Sequence, residues 1–120
     1  MARILVVEDT PANRVLATKL LRAAGHDVLT AGTGAEGVAL AHEHRLDLVL
    51  MDLGLPDMDG WQAMTQIRAL HTAHDLPIVA FTAHAMVGDR ERALTAGFNG
   101  YLSKPIDVAT FVQQVGEMVP

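Results

Sequence analysis

Cysteine is absent from the 120-residue sequence, which excludes a disulfide scaffold and any thiolate metal site. Aromatic residues make up only 4% of the chain against an apolar share of 50%, so a core has to be built from Val, Leu, Ile, Ala and Met. Lys and Arg form no cluster, and the formal net charge is −5. A nucleic-acid backbone is held by a basic patch that displaces counterions, so a direct nucleic-acid partner is not expected. No apolar run approaches the roughly 18 residues that a membrane span requires. The N-terminus, Met1-Ala2-Arg3 and a short apolar run, meets Glu8 and Asp9 too soon for a signal peptide. A soluble cytoplasmic protein without a membrane partner is expected. Linkers, internal repeats and low-complexity segments are missing as well, so residues 1–120 read as one domain around a single core.

What is present is an alternation of short β-rich apolar runs with longer helical patterns. Ile4 to Val7 reads as a first strand, and Thr10-Pro11 as a helix cap followed by a proline whose missing N–H costs nothing at the first helical position. Leu16, Leu20 and Ala24 share a face of that helix, and Gly25 ends it. Asp27 to Ala31 is a more polar second strand, expected near an edge. Gly34 opens a second helix with Val38 and Ala39 on its buried side. Leu46 to Met51 is apolar almost without alternation, as in a parallel strand covered on both faces. After the breaker-rich Leu55-Pro56-Asp57-Met58-Asp59-Gly60, Ala63, Ile67 and Leu70 mark a third helix. Pro77 to Phe81 is the fourth strand, Ala85 to Ala96 the fourth helix closed by Gly97, and Tyr101-Leu102 lie in a short fifth strand. Asp107 caps a last helix with the stripe Val108, Phe111, Val112, Val115 and Val119. Five βα units imply an α/β fold, a parallel sheet with helices on both faces. Such sheets bind ligands beyond the carboxyl ends of their strands, where strand order reverses.

The residues at those strand ends are therefore the ones to inspect. Glu8 and Asp9 follow the first strand, Asp52 the third, Thr82 the fourth, and Lys104-Pro105 the fifth. Three carboxylates brought within about 5 Å repel by roughly a few kcal/mol per pair at an effective dielectric of about 20. A hard divalent cation with oxygen ligands relieves that repulsion, and Mg²⁺ typically takes one or two carboxylates, several waters and a phosphate. Lys104 adds a second positive charge.

Four motifs in fixed order carry a family resemblance: Val7-Glu8-Asp9; Leu50-Met51-Asp52-Leu53-Gly54-Leu55-Pro56 with Asp59-Gly60; Phe81-Thr82-Ala83; and Tyr101-Leu102-Ser103-Lys104-Pro105. Over essentially its whole length the chain resembles the receiver domain of two-component response regulators. Within that family it is similar to the stand-alone receivers typified by bacterial cell-cycle regulators. The resemblance implies a flavodoxin-like (βα)5 three-layer sandwich with strand order 2-1-3-4-5. It implies that Asp52 is the phosphoacceptor, a carboxylate nucleophile that forms an acyl phosphate. Asp9 would hold Mg²⁺ directly, Glu8 through water, and the main-chain carbonyl of Gly54 would complete the protein ligands. Lys104 would pair with the phosphoryl oxygens, Thr82 would hydrogen-bond one of them, Ala83 would support the site beside it, and Pro105 would hold the lysine loop through a cis bond. Tyr101 would turn from solvent toward the core as Thr82 is drawn inward, remodelling the face of helix four, strand five and helix five. The implied donor is a sensor histidine kinase or a histidine phosphotransfer protein, and the reader a downstream protein target. A monomer or weak dimer that catalyses only its own phosphorylation and dephosphorylation is expected. The initial methionine favours an independent protein over a piece of a hybrid. Gly54 and His84, two residues beyond Asp52 and Thr82, stand where members of the family vary and tune acyl-phosphate lifetime.

Plainer readings compete at several positions. Acidic residues after a strand are often only caps or solvated loop charges, and the joint placement of Asp52, Thr82 and Lys104 argues against that for Glu8 and Asp9. Asp57 and Asp59 read as turn residues, and Asp47, at the opposite end of the sheet, as structural. Of the six histidines, the pairs His42/His44 and His71/His74 lack the spacing of a zinc motif, so all six read as surface residues. Trp61, near the start of the third helix, reads as a packing or half-exposed surface residue. Three rival functions differ in the residues they need. A Mg²⁺-dependent aspartyl-phosphate phosphatase or phosphotransferase of the haloacid-dehalogenase class carries its nucleophile after strand one in an Asp-x-Asp pattern, where this chain has Glu8-Asp9-Thr10-Pro11. A flavodoxin-like phosphate binder needs Ser, Thr and Gly donors there. A docking module without phosphorylation needs none of the strand-end residues.

Overall fold

The computed structural model describes residues 2–72, 75–82 and 88–119. Ten elements alternate along them: β1 (Arg3–Val7), α1 (Pro11–Ala23), β2 (Asp27–Ala31), α2 (Gly34–Glu43), β3 (Leu48–Asp52), α3 (Gly60–Arg68), β4 (Ile78–Thr82), α4 (Asp89–Ala96), β5 (Gly100–Ser103) and α5 (Phe111–Met118). The strands form one parallel sheet in the order β2-β1-β3-β4-β5, as expected. The expected start of the fourth helix, Ala85, lies outside the described residues, as do His74, Ala83 and His84.

The pleat sorts side chains into two cores, because successive residues of a strand point to opposite faces. Leu5, Val7, Val49 and Met51 meet Val38 and Ala41 of α2, Ala63, Met64 and Ile67 of α3, and Ala93 of α4. Ile4, Val6, Leu48 and Leu50 meet Ala17 and Leu21 of α1 with Phe111 and Val115 of α5. Helices on both faces make the three layers and explain the unbroken apolar run: every residue of β3 and β4 is buried. At the N-terminal end of the sheet, Asp47 accepts from the Arg3 amide at 2.8 Å, which makes it structural as read.

Several helix faces differ from the sequence reading. In α1 the buried pair is Ala17 and Leu21, while Ala24 is exposed beyond the helix end. The helix presents its small Ala17 to the sheet, which lets the axis approach. In α2 Val38 is buried but Ala39 is exposed. Gly37 faces the sheet there, and a Cβ on it would meet Val7 Cγ2 at 2.7 Å, so that close approach fixes the rotation and turns Ala39 outward. α3 ends at Arg68, so Leu70 falls out of helical phase and is 67% exposed. The Arg68 guanidinium seals this end, donating to the carbonyls of Leu76 at 2.6 Å and Gly97 at 3.2 Å; burial lowers its pKa from the ordinary value. Asp107 does not cap α5. It opens a separate turn, accepting from the Ala109 amide at 3.0 Å, which leaves Val108 exposed and the helix starting at Phe111.

The shortened α3 has a measurable consequence. Ile67→Ala should cost about 3 kcal/mol of unfolding free energy, as a buried aliphatic deletion does. Leu70→Ala should change it by no more than about 0.5 kcal/mol. Urea denaturation of the two variants checks both; equal losses would mean that α3 continues with Leu70 inside.

Candidate functional site

Parallel register brings the strand ends together. Val7 pairs with Met51, Asp52 with Phe81, and Thr82 with Ser103, so Glu8, Asp52, Thr82 and Lys104 emerge side by side at the carboxyl edge. Glu8 prolongs the ladder by one bond, its amide donating to the Ala31 carbonyl at 3.0 Å, which is why its side chain is fully buried. Asp52 and Thr82 are buried too, at 4% and 5% exposure, whereas Asp9 is exposed.

The turn into α1 is built on Glu8. Its Oε1 accepts from the Thr10 amide at 3.1 Å, and its carbonyl accepts from the Arg14 guanidinium at 2.8 Å. Thr10 occupies the cap position by backbone conformation, but its side chain makes no cap hydrogen bond; the Glu8 carboxylate holds the Thr10 amide itself. Arg14 was missed from the sequence. A cation one turn into the helix, facing back over two acids, is the only signal for it.

Carboxylate oxygens of Glu8, Asp9 and Asp52 lie within 4.8 Å of one another. The Lys104 ammonium sits 2.6 Å from Glu8 Oε2 and 3.2 Å from Asp52 Oδ2, and 5.1 Å from the Phe81 ring centroid. Its own amide donates to the Thr82 carbonyl at 2.7 Å, and the Lys104-Pro105 bond is cis. Three carboxylates against one ammonium leave a surplus of negative charge that one divalent cation would neutralise. The donor set is all oxygen, and the buried Glu8 Oε2 has no hydrogen-bond partner beyond its ion pair with Lys104. These features fit a hard cation such as Mg²⁺. Among the described residues this is the one group of three or more His, Asp or Glu side chains close enough to share an ion.

On the far side of Asp52, the Gly54 amide donates to Asp52 Oδ1 at 3.0 Å. Gly60 opens α3 directly beneath: its amide donates to the Leu53 carbonyl at 3.1 Å, and a Cβ there would collide with the Asp52 carbonyl oxygen and Leu53 Cα. Asp59 caps α3 in a reciprocal box with Gln62. Asp57 is more than a turn residue. Its carboxylate accepts from the amides of Gly34 at 2.7 Å and Ala35 at 2.9 Å, at the start of α2, and those two backbone bonds hold its pKa below the usual carboxylate value.

Tyr101 is half-buried and packs on the face shared with α3 and α4. Its hydroxyl is buried and has no hydrogen-bond partner among the described residues; this burial, with a contribution from the Asp89 carboxylate, raises its pKa. The ring packs inward in this structure, whereas the resemblance implied a turn from solvent toward the core. Trp61 packs as read, edge-on to Phe98 at 5.3 Å, with the Arg92 guanidinium 5.9 Å from its ring. His42 and His71, from α2 and the end of α3, have ring centroids 6.3 Å apart, a pairing across elements that sequence spacing does not show.

Comparison with known proteins agrees with this geometry. A family model described as the response regulator receiver domain matches residues 4–116. The polar-differentiation response regulator DivK of Brucella anthropi is 37% identical over 112 residues, covering 93% of this chain and 91% of the relative. The receiver domain of a sensor histidine kinase from Pseudomonas aeruginosa, solved with a magnesium ion coordinated in its active-site cleft, is 39% identical with a TM-score of 0.86, covering 98% of this chain and 96% of that one. A Saccharomyces cerevisiae response-regulator receiver domain, solved with its histidine phosphotransfer protein, is 30% identical with a TM-score of 0.87, covering 98% and 88%.

The two glycines beside Asp52 should respond differently to substitution. Gly60→Ala forces backbone to move and should destabilise by about 1–3 kcal/mol, as overpacking does. Gly54→Ala, with its nearest atom 3.9 Å away, should change stability by no more than about 0.5 kcal/mol. Chemical denaturation without metal tests both.

Proposed function

Because the chain belongs to the response regulator receiver family, we propose that it is a phosphorylation-activated signalling switch whose phosphoacceptor is Asp52. The observation that carries this reading is the Asp52 carboxylate itself. It is almost fully buried, held by the Gly54 amide on one oxygen and the Lys104 ammonium near the other, beside two further acids. The fold and the acidic cluster agree with signalling by phosphorylation; the donor, the acceptor chemistry and the reading face are the proposal.

The residues divide the work as follows. Asp9 would hold Mg²⁺ directly, Glu8 through water, and Asp52 with the Gly54 main-chain carbonyl would complete the protein ligands. When bound, the ion polarises the phosphoryl oxygens and aligns an in-line displacement. The Gly54 amide fixes the plane of the Asp52 carboxylate. One carboxylate oxygen bonds to phosphorus as the phosphorus–nitrogen bond of a phosphohistidine breaks, and the imidazole leaves with the bonding pair. Lys104 is already desolvated against Phe81 and two acids, so it transfers its pairing to the arriving phosphoryl oxygens without being stripped of water at that moment. The Thr82 hydroxyl donates to one of those oxygens, and Pro105 supports the lysine loop.

The signal then passes to Tyr101 on β5 and to the surface of α4, β5 and α5. Phosphorylation does work only through its differential affinity for two conformers, and a shift from 1:99 to 99:1 needs about 5.5 kcal/mol. With the Tyr101 hydroxyl already buried, phosphorylation fixes an inward ring rather than drawing in an outward one. A sensor histidine kinase or histidine phosphotransfer protein supplies the phosphoryl group, and a downstream protein in the cytoplasm reads it from a monomer or weak dimer. The chain turns over only its own phosphoryl group.

Acetyl phosphate with Mg²⁺ should add one phosphoryl group, seen by intact-mass spectrometry, and Asp52→Asn should abolish it. Labelling that persists in the Asn variant would remove Asp52 from this role. Thr82→Ala should still label while losing most of the phosphorylation-induced gain in affinity for the downstream target; an unchanged gain would break the proposed coupling.

A further inference from the structure

Gly54 is an unpromising residue on which to build a ligand. Its side chain contributes nothing, it is exposed, and a glycine backbone loses more freedom on ordering than any other. Something downstream has to hold the loop 53–59 in place if the Gly54 carbonyl is to serve a small cation that demands near-ideal octahedral geometry. At its α3 end the loop is fixed by Gly60 and the Asp59 box. In between, Leu55 is buried and Pro56 has a fixed φ.

The remaining anchor reaches another element. Both carboxylate oxygens of Asp57 accept hydrogen bonds from the first amides of α2, Gly34 at 2.7 Å and Ala35 at 2.9 Å. These amides have no partner within the helix, and Thr33 occupies the ordinary cap position, accepting from Glu36 instead. The neighbouring Met58 lies so close to the same turn that a Cβ on Gly34 would collide with its side chain. Two independent contacts thus press the loop onto α2.

We infer that Asp57 is a positioning residue for the metal: by clamping the loop 53–59 to the first turn of α2, it presets the Gly54 carbonyl and so strengthens Mg²⁺ binding. The inference rests on the functional reading above, in which Gly54 is a ligand. A cap that merely stabilises α2 would lower stability without touching cation affinity. A clamp changes affinity in the folded protein, because an untethered loop must be ordered each time the ion binds.

The test is Mg²⁺ titration by isothermal calorimetry, with thermal unfolding measured separately without metal. Asp57→Ala should weaken the Mg²⁺ Kd about tenfold, the low end of what losing an outer partner of a metal ligand costs. Asp57→Asn keeps one acceptor oxygen for the two amides and should recover part of that loss. If the Ala variant does not fold, the Asn variant alone decides, with a Kd at least about threefold weaker expected. A lowered Tm with Mg²⁺ affinity within twofold of the unsubstituted protein would overturn the inference and leave the functional reading intact. Absence of any Mg²⁺ binding by the unsubstituted protein would overturn that reading, and the inference with it.

Discussion

One ammonium group decides whether the carboxyl edge of this sheet can exist as it stands. Lys104 reaches back from the end of β5 to lie 2.6 Å from Glu8 and 3.2 Å from Asp52, and both acids are buried. A buried charge without a partner costs several kcal/mol, and Glu8 is fully enclosed because its amide still belongs to the ladder. Without the lysine, the β1 and β3 ends would carry that cost together with their mutual repulsion. The pairing is also incomplete: one positive charge cannot balance three negative ones. The same contact that makes the edge tolerable therefore leaves it in need of a cation, and that need is the chemical capacity of the site.

The topology turns sequence-distant residues into neighbours at little expense. Strand order β2-β1-β3-β4-β5 puts β1 and β3 together at the centre, so the two acid-bearing strands share a ladder and both cores support them. The lysine follows β5, two places beyond β3 at the sheet edge, and its long side chain spans β4 by lying over Phe81. A shorter cation at 104 would not reach Glu8, and a parallel strand that was not buried on both faces would expose the acids to water and weaken their hold on any ion.

Much of this was legible in the sequence because it depends on short periods and strand ends. The continuous apolar runs of β3 and β4, Gly25 and Gly97 closing helices, and the strand-end set Glu8, Asp9, Asp52, Thr82 and Lys104 all follow from local pattern plus the rule that parallel sheets bind at their carboxyl edge. Helix rotation was not legible where two stripes compete. Leu16 and Ala17, or Val38 and Ala39, are equally apolar in sequence, and only the close approach of Gly37 to Val7 settles one of these cases. Helix ends were missed where a turn of its own intervenes, as at Asp107, or where a long-range seal such as Arg68 terminates the helix early. Asp57 lies in a bend as read, but its second role was hidden for a related reason. A loop aspartate caps its own neighbours by default, and nothing local reveals that its partners lie at residues 34 and 35.

The two sides of Asp52 differ in how firmly they are held, and the difference fits the proposed division of labour. Toward β1 and α3, the backbone is fixed by the Gly60 contact, the Asp59 box, the Asp57 bonds to α2 and the Arg14 bond to Glu8, a constraint that suits the proposed ion site. Toward β5, the Tyr101 hydroxyl is buried and has no hydrogen-bond partner among the described residues. A buried hydroxyl without a bonded partner holds its ring less firmly than a bonded one would. In the proposed switch, a fully bonded tyrosine at this position would be a firmer core residue and would respond less to a modest differential affinity.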